Sequence, residues 1–102
     1  MIQSIEIIIK SGINYLLNVL IDYEKKVCYK DSREYKVTDA FLDEIIRTIR
    51  TWKKEYGNDN LIDSEEFKII IAIPGEDDVI HGKGIFPENY AHLKELIGDL
   101  HD

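Results

Sequence analysis

Three stretches of this chain alternate in hydropathy with a period of two, and isoleucine fills most of their apolar positions. "IQSIEIIIK" sets Ile5, Ile7 and Ile9 on one side and Ser4, Glu6, Ile8 and Lys10 on the other. "YLLNVLIDY" sets Leu17, Val19 and Ile21 against Leu16, Asn18, Leu20 and Asp22, and "FKIIIAI" sets Phe67, Ile69, Ile71 and Ile73 against Lys68, Ile70 and Ala72. Side chains alternate across a strand, so a period of two predicts strands with one buried face. β-Branched residues favour that state. A helical bundle is excluded for these segments.

The intervening residues supply the remaining elements. "SGIN" and "YEKK" read as tight turns, and "KVCYK" as a short third strand. Asp31 to Val37 reads as irregular, with room for a short edge strand at Tyr35 to Val37. From Thr38 to Tyr56 the period changes. Phe41, Ile45, Ile49, Trp52 and Tyr56 recur in steps of three and four, which predicts one helix over the whole span. Thr38 suits its N-cap, acids lead, bases trail, and Gly57 suits its end. "PGEDD" reads as a turn, "VIHGKGI" as a return strand, and "FPENYAHLKELIGDLHD" as a last helix with Pro87 in its first turn. Each helix has a single apolar stripe. The expected fold is α+β, in the order βββαββα: one domain over residues 1–102, an antiparallel sheet of about five strands and two helices packed on one face.

Composition narrows the function classes. The chain has 102 residues and a formal charge of −7, so its surface repels phosphate backbones and nucleic acid is not expected as a partner. Its one cysteine, Cys28, allows no internal disulfide, which fits a reducing cytoplasm. "IEIIIKSGINYLLNVLI" is interrupted by Lys10, Gly12, Asn14 and Asn18 and falls short of the roughly 20 apolar residues of a membrane span.

The sharpest motif is "YGNDNLIDSEEF", which looks like half of a calcium loop, with Asp59, Asp63 and Glu66 as oxygen ligands. A twelve-residue EF-hand ending at Glu66 begins at Glu55, puts Gly57 at its third position and Asn60 at its glycine position, and needs a helix afterwards. The following residues read as a strand, so calcium is not expected. "HGKG" at residues 81–84 has glycines inside a strand rather than before a helix, so Gly82 and Gly84 fit a bulge or a close helix approach better than a phosphate cradle. His81, His92 and His101 do not make a metal site on spacing alone, although Glu88 and His92 share a helical face. Cys28 sits mid-strand and reads as a buried structural thiol. No cofactor is expected.

From about residue 45 to 100 the chain resembles a group of small, functionally unassigned proteins of Gram-positive bacteria. The shared features are Trp52 and Tyr56, the Ile62-Asp63 loop, the strand opened by Phe67, a polar turn, and the run Gly82-x-Gly84-x-Phe86-Pro87-x-Asn89-Tyr90 that joins a strand to the last helix. The chain departs from the group at Ser64 and Phe67, where glycine and often tryptophan are expected. The resemblance implies the fold and no activity.

Two functional expectations follow. One is a non-catalytic protein-binding module, for example an immunity- or antitoxin-like inhibitor of a basic protein, working through a sheet face. Its evidence is Ile8, Leu16, Leu20, Ile70 and Ala72, apolar residues on the face opposite the expected core. A helix-free face normally turns polar, so these residues mark a homodimer or partner interface, unless they sit apart or the Ser32 to Lys36 segment folds over them. The other is a ligand-binding or enzymatic domain with a pocket at His81, Lys83, Glu88 and His92.

Overall fold

The computed structural model describes residues 2–57 and 64–100. Its elements are β1 (Ser4–Ser11), β2 (Asn14–Asp22), β3 (Val27–Lys30), β4 (Arg33–Lys36), α1 (Asp39–Ile49), β5 (Glu55–Gly57), β6 (Glu65–Ile73), β7 (Glu76–Lys83) and α2 (Tyr90–Gly98). The strands form one seven-stranded sheet in the order β4-β3-β2-β1-β6-β7-β5. All neighbours are antiparallel except β5 and β7, which are parallel. The α+β class holds. The sheet is larger than the expected five strands and is mixed rather than purely antiparallel.

The turns follow local chemistry. Gly12 takes φ +61° in the β1–β2 hairpin. The Asp22 carboxylate accepts from the Glu24 and Lys25 amides at 3.0 and 2.9 Å and folds the β2–β3 turn back on itself. Asp31 and Ser32 both take positive φ, 52° and 65°, the geometry of a type I′ hairpin turn. That turn makes β4 a paired edge strand, so the Ser32 to Lys36 segment extends the sheet instead of folding over its face. Pro74 and Gly75, the latter at φ +87°, close the β6–β7 hairpin, so β7 starts at Glu76, inside the stretch read as a turn.

The isoleucine alternation sets the register. Ile5, Ile7 and Ile9 stand opposite Ile21, Val19 and Leu17 on one side and Ile71, Ile69 and Phe67 on the other. All three isoleucines are fully buried. A one-residue slip of β1 would expose three isoleucines and bury one, Ile8. The net loss of two buried isoleucines is about 3–6 kcal/mol, a large part of the roughly 5–15 kcal/mol that holds a domain together.

Both helices cover this face. Leu42, Ile45 and Ile49 of α1 and Tyr90, Leu93 and Ile97 of α2 join the same core cluster as the isoleucines. The Thr38 hydroxyl caps α1, accepting from the Phe41 amide at 3.1 Å. At the other helix end, Lys30 Nζ donates to the Ile97 carbonyl at 3.1 Å and satisfies a terminal acceptor of α2.

The largest departure from expectation is the end of α1. The helix stops at Ile49, and Trp52 and Tyr56 lie beyond it, Tyr56 in β5. The Lys54 carbonyl accepts from the His81 amide at 2.9 Å and its ammonium pairs with Asp78, which docks this segment on β7. Trp52 and Tyr56 still face the core, because an extended chain laid along the sheet edge turns the same side inward. α2 likewise starts at Tyr90, four residues after Phe86, with the Tyr90 amide bonded to the Pro87 carbonyl.

Candidate functional site

The face of the sheet away from the helices carries the side chains that the isoleucine register turns outward. One row across it reads Tyr29, Leu20, Glu6, Ile70, Val79, each directly opposite the next on neighbouring strands. The next row reads Asn18, Ile8, Lys68, His81, Glu55, and the one after it Tyr15, Lys10, Glu66, Lys83, Gly57. Adjacent cross-strand side chains touch. Ile70 and Val79 are therefore neighbours, Leu20 is separated from them by Glu6, and Ile8 lies on the adjacent rung. Leu20 and Leu16 are 39% and 55% exposed, Ile8, Ile70, Val79 and Ala72 are half-buried, and Ala72 lies opposite Asp77. Both helices pack on the opposite face of the sheet.

Toward β5 the face deepens into a groove of about 760 Å³. Ile8 and Val79 supply apolar lining, and Lys10, Lys68, His81 and Lys83 surround it. Two carboxylates offset these cations. Glu66 lies 3.8 Å from Lys10, and Glu55 lies 3.6 Å from His81. Lys68 and Lys83 have no carboxylate within ion-pair distance among the described residues. The wall on the β5 side depends on glycine. Gly82 lets the Phe67 ring and Tyr56 close in beneath it, and Gly57, at φ +81°, lets β5 lie directly against the Lys83 backbone.

Of the five interface residues expected from sequence, Ile8, Leu20, Ile70 and Ala72 fall on the helix-free face by strand parity, whereas Leu16 falls at a register shift of β2, between Leu17 opposite Ile9 and Tyr15 opposite Lys10. The expected pocket is divided. His81 and Lys83 line the groove, whereas His92 is on the helix layer, its Nε2 3.3 Å from Glu44 Oε1 of α1, and Glu88 lies in the turn before α2. A pocket between β7 and α2 needs the odd residues of β7 to face the helices. The register turns its even ones, Ile80 and Gly82, that way. Sequence reasoning missed Lys10, Lys68 and Val79 as neighbours of His81. Their only signal is strand parity combined with pairing order, and the order is a tertiary property.

The remaining candidates resolve as follows. Asp59, Asn60, Ile62 and Asp63 of the calcium-like loop, and His101, lie outside the described residues. The flanks of that loop are strands: Glu55 and Gly57 are in β5 and Glu66 is in β6. That geometry differs from the paired helices of an EF-hand. No group of three or more metal-ligating side chains occurs among the described residues. Cys28 is fully buried, and burial pushes its thiol up to about 11, against a smaller opposing pull from Lys30. A neutral, buried thiol is a poor nucleophile.

An aromatic cluster lies between sheet and α2. The Phe67 ring meets Trp52, Tyr56, Phe86 and Tyr90 at centroid distances of 5.9, 6.1, 6.1 and 5.1 Å. The Tyr90 hydroxyl donates to Glu65 at 2.5 Å, and Lys94 reaches the same carboxylate at 3.3 Å. Burial, and then that bond to Glu65, hold the Tyr90 phenol well above its ordinary value. The cluster anchors α2 to the Phe67 end of β6.

No helix among the described residues is long and apolar enough to cross a membrane. No family model, curated protein or solved structure matches this chain.

Proposed function

We propose that the protein is a non-catalytic binding module that works through the helix-free face of its sheet, and that the face joins two copies of the chain. The observation that carries this reading is the helix-free face on which Ile70 and Val79 are neighbours, with Leu20 in the same row and Ile8 on the adjacent rung. An antiparallel sheet face left to solvent is normally polar, and apolar residues gathered on such a face usually mark an interaction site. The charges around these residues favour a second copy as occupant. They are of both signs, Glu6 and Glu66 beside Lys10 and Lys68, and a mixed surface can match itself across a two-fold axis. An inhibitor of a strongly basic protein needs a uniformly acidic contact surface. This face does not offer one, because the lysines on β1, β6 and β7 interrupt it.

The test is sedimentation equilibrium of the wild type and of the double variant Leu20→Glu, Ile70→Glu, from micromolar to millimolar protein. The wild type is expected to populate a dimer and the variant to stay monomeric with an unchanged circular dichroism spectrum. A wild type that remains monomeric throughout overturns the proposal.

A further inference from the structure

The groove beside β5 carries a second property. Its cations lie on two neighbouring rungs of the sheet. Lys68 stands directly opposite His81, and Lys10 and Lys83 flank Glu66 on the next rung. Lys10 and Lys83 thus each face a carboxylate across the sheet, whereas Lys68 faces an imidazole. Glu55 and Glu66 offset part of the positive charge, which leaves three lysines against two carboxylates on a chain whose net charge is −7. The lysines surround apolar lining from Ile8 and Val79, with one positive charge in excess. A volume of about 760 Å³ is that of a small-molecule site, and such sites combine an apolar lining with a few placed polar groups. A lysine ammonium serves carboxylate and phosphate groups as a point charge.

We propose that this groove binds a small organic anion, with a carboxylate or phosphate head held by Lys68 and Lys83 and an apolar body laid on Ile8 and Val79. All the lining side chains come from one copy of the chain. The site is complete in a monomer, but it shares Ile8 and Val79 with the face proposed to join two copies, so dimerisation would cover it and binding is measured where the chain is monomeric. Lys10 is partly engaged by Glu66 at 3.8 Å and His81 by Glu55 at 3.6 Å, so they contribute less. Reversing the charge of both lysines is expected to weaken binding about tenfold.

The experiment titrates the full chain with sodium decanoate, decyl phosphate and inorganic phosphate by calorimetry. Amide chemical shifts are followed in parallel, at protein concentrations where sedimentation shows the chain to be monomeric. Saturable one-site binding is expected for decanoate or decyl phosphate, with shifts confined to β1, β6, β7 and β5. Binding of one and not the other supports the proposal and identifies the head group. Lys68→Glu with Lys83→Glu should lower the affinity about tenfold with an unchanged melting curve, and the neutral pair Lys68→Gln, Lys83→Gln should lower it less. Lys25→Glu, in the β2–β3 turn, should leave it unchanged. The proposal is overturned if neither decyl anion binds saturably, if the lysine variants bind as the wild type does, or if the shifts map to the helices. Inorganic phosphate binding as tightly as decyl phosphate would overturn the role of the apolar lining. Loss of dimerisation in the sedimentation experiment leaves these outcomes unaffected.

Discussion

Replacing Gly82 by alanine inserts one methyl group at the point where β5, β6 and the aromatic cluster meet. A Cβ built there lies 2.5 and 2.8 Å from Cε1 and Cζ of Phe67 and 2.8 Å from Cβ of Tyr56. None of these atoms can move freely. The Phe67 ring is 3% exposed and is wedged among four other aromatic rings. The Tyr56 Cβ is fixed to the backbone of β5, so relief there means moving the strand off β7. Overpacking a dense core by a methyl group costs about 1–3 kcal/mol. For a chain of this length that corresponds to a fall in melting temperature of roughly 5–20 °C. The assay is thermal unfolding by circular dichroism of Gly82→Ala, Phe67→Leu and the double variant. Phe67→Leu alone removes aromatic contacts and should destabilise. In the double variant the smaller side chain accepts the methyl group, so the two losses should add to less than their sum by about 1 kcal/mol or more. A Gly82→Ala protein that melts like the wild type, or two losses that simply add, would refute the close approach of Phe67 and Tyr56 and with it the wall of the groove.

Trp52→Ala should lower stability by about 3 kcal/mol, the low end for a lost aromatic, because Trp52 is only half-buried and packs edge-on against Phe67; a melting temperature within a degree or two of the wild type would show that this contact carries no stability. Stability should fall as pH rises above 9. The Cys28 thiol goes from an ordinary value of 9.0 to about 11 in the fold, so the unfolded chain releases its proton first, and the contribution is complete below pH 9 and lost as pH passes 11. Cys28→Ala should flatten that limb in denaturant titrations run at pH 8 and 10.5, and an equally steep decline would assign it to other groups. Thr38→Ala should cost about 1 kcal/mol through loss of the bond to the Phe41 amide, read as a shift in urea midpoint with unchanged slope. Millimolar calcium should leave the melting temperature unchanged, and a rise that Glu66→Gln abolishes would restore the calcium reading of the loop.

The strand face assignments were legible from residue order because they rest on a local rule. Successive side chains in a strand point to opposite sides, so Ile5, Ile7 and Ile9 had to share a face, and Ile8 had to oppose them, whatever the strand paired with. The start of α1 was legible for the same reason: Thr38 caps the nearest amides. The end of α1 was not. Trp52 and Tyr56 continue the helical spacing, yet they reach the core from an extended segment, because Gly82 opens a place for Tyr56 on the edge of β7 and that pairing outweighs a further turn of helix. Strand β4 was legible in part: an edge strand was expected at Tyr35 to Val37, but its start at Arg33 was hidden because the two positive-φ residues that make its turn, Asp31 and Ser32, are not glycines. The groove is the clearest case of tertiary decision. Ile8, Lys68, His81 and Glu55 are scattered along the chain and become one row only when β1, β6, β7 and β5 are laid side by side. Strand order is set by loop closure and by burial of the whole face, energies that no local stretch of residues contains.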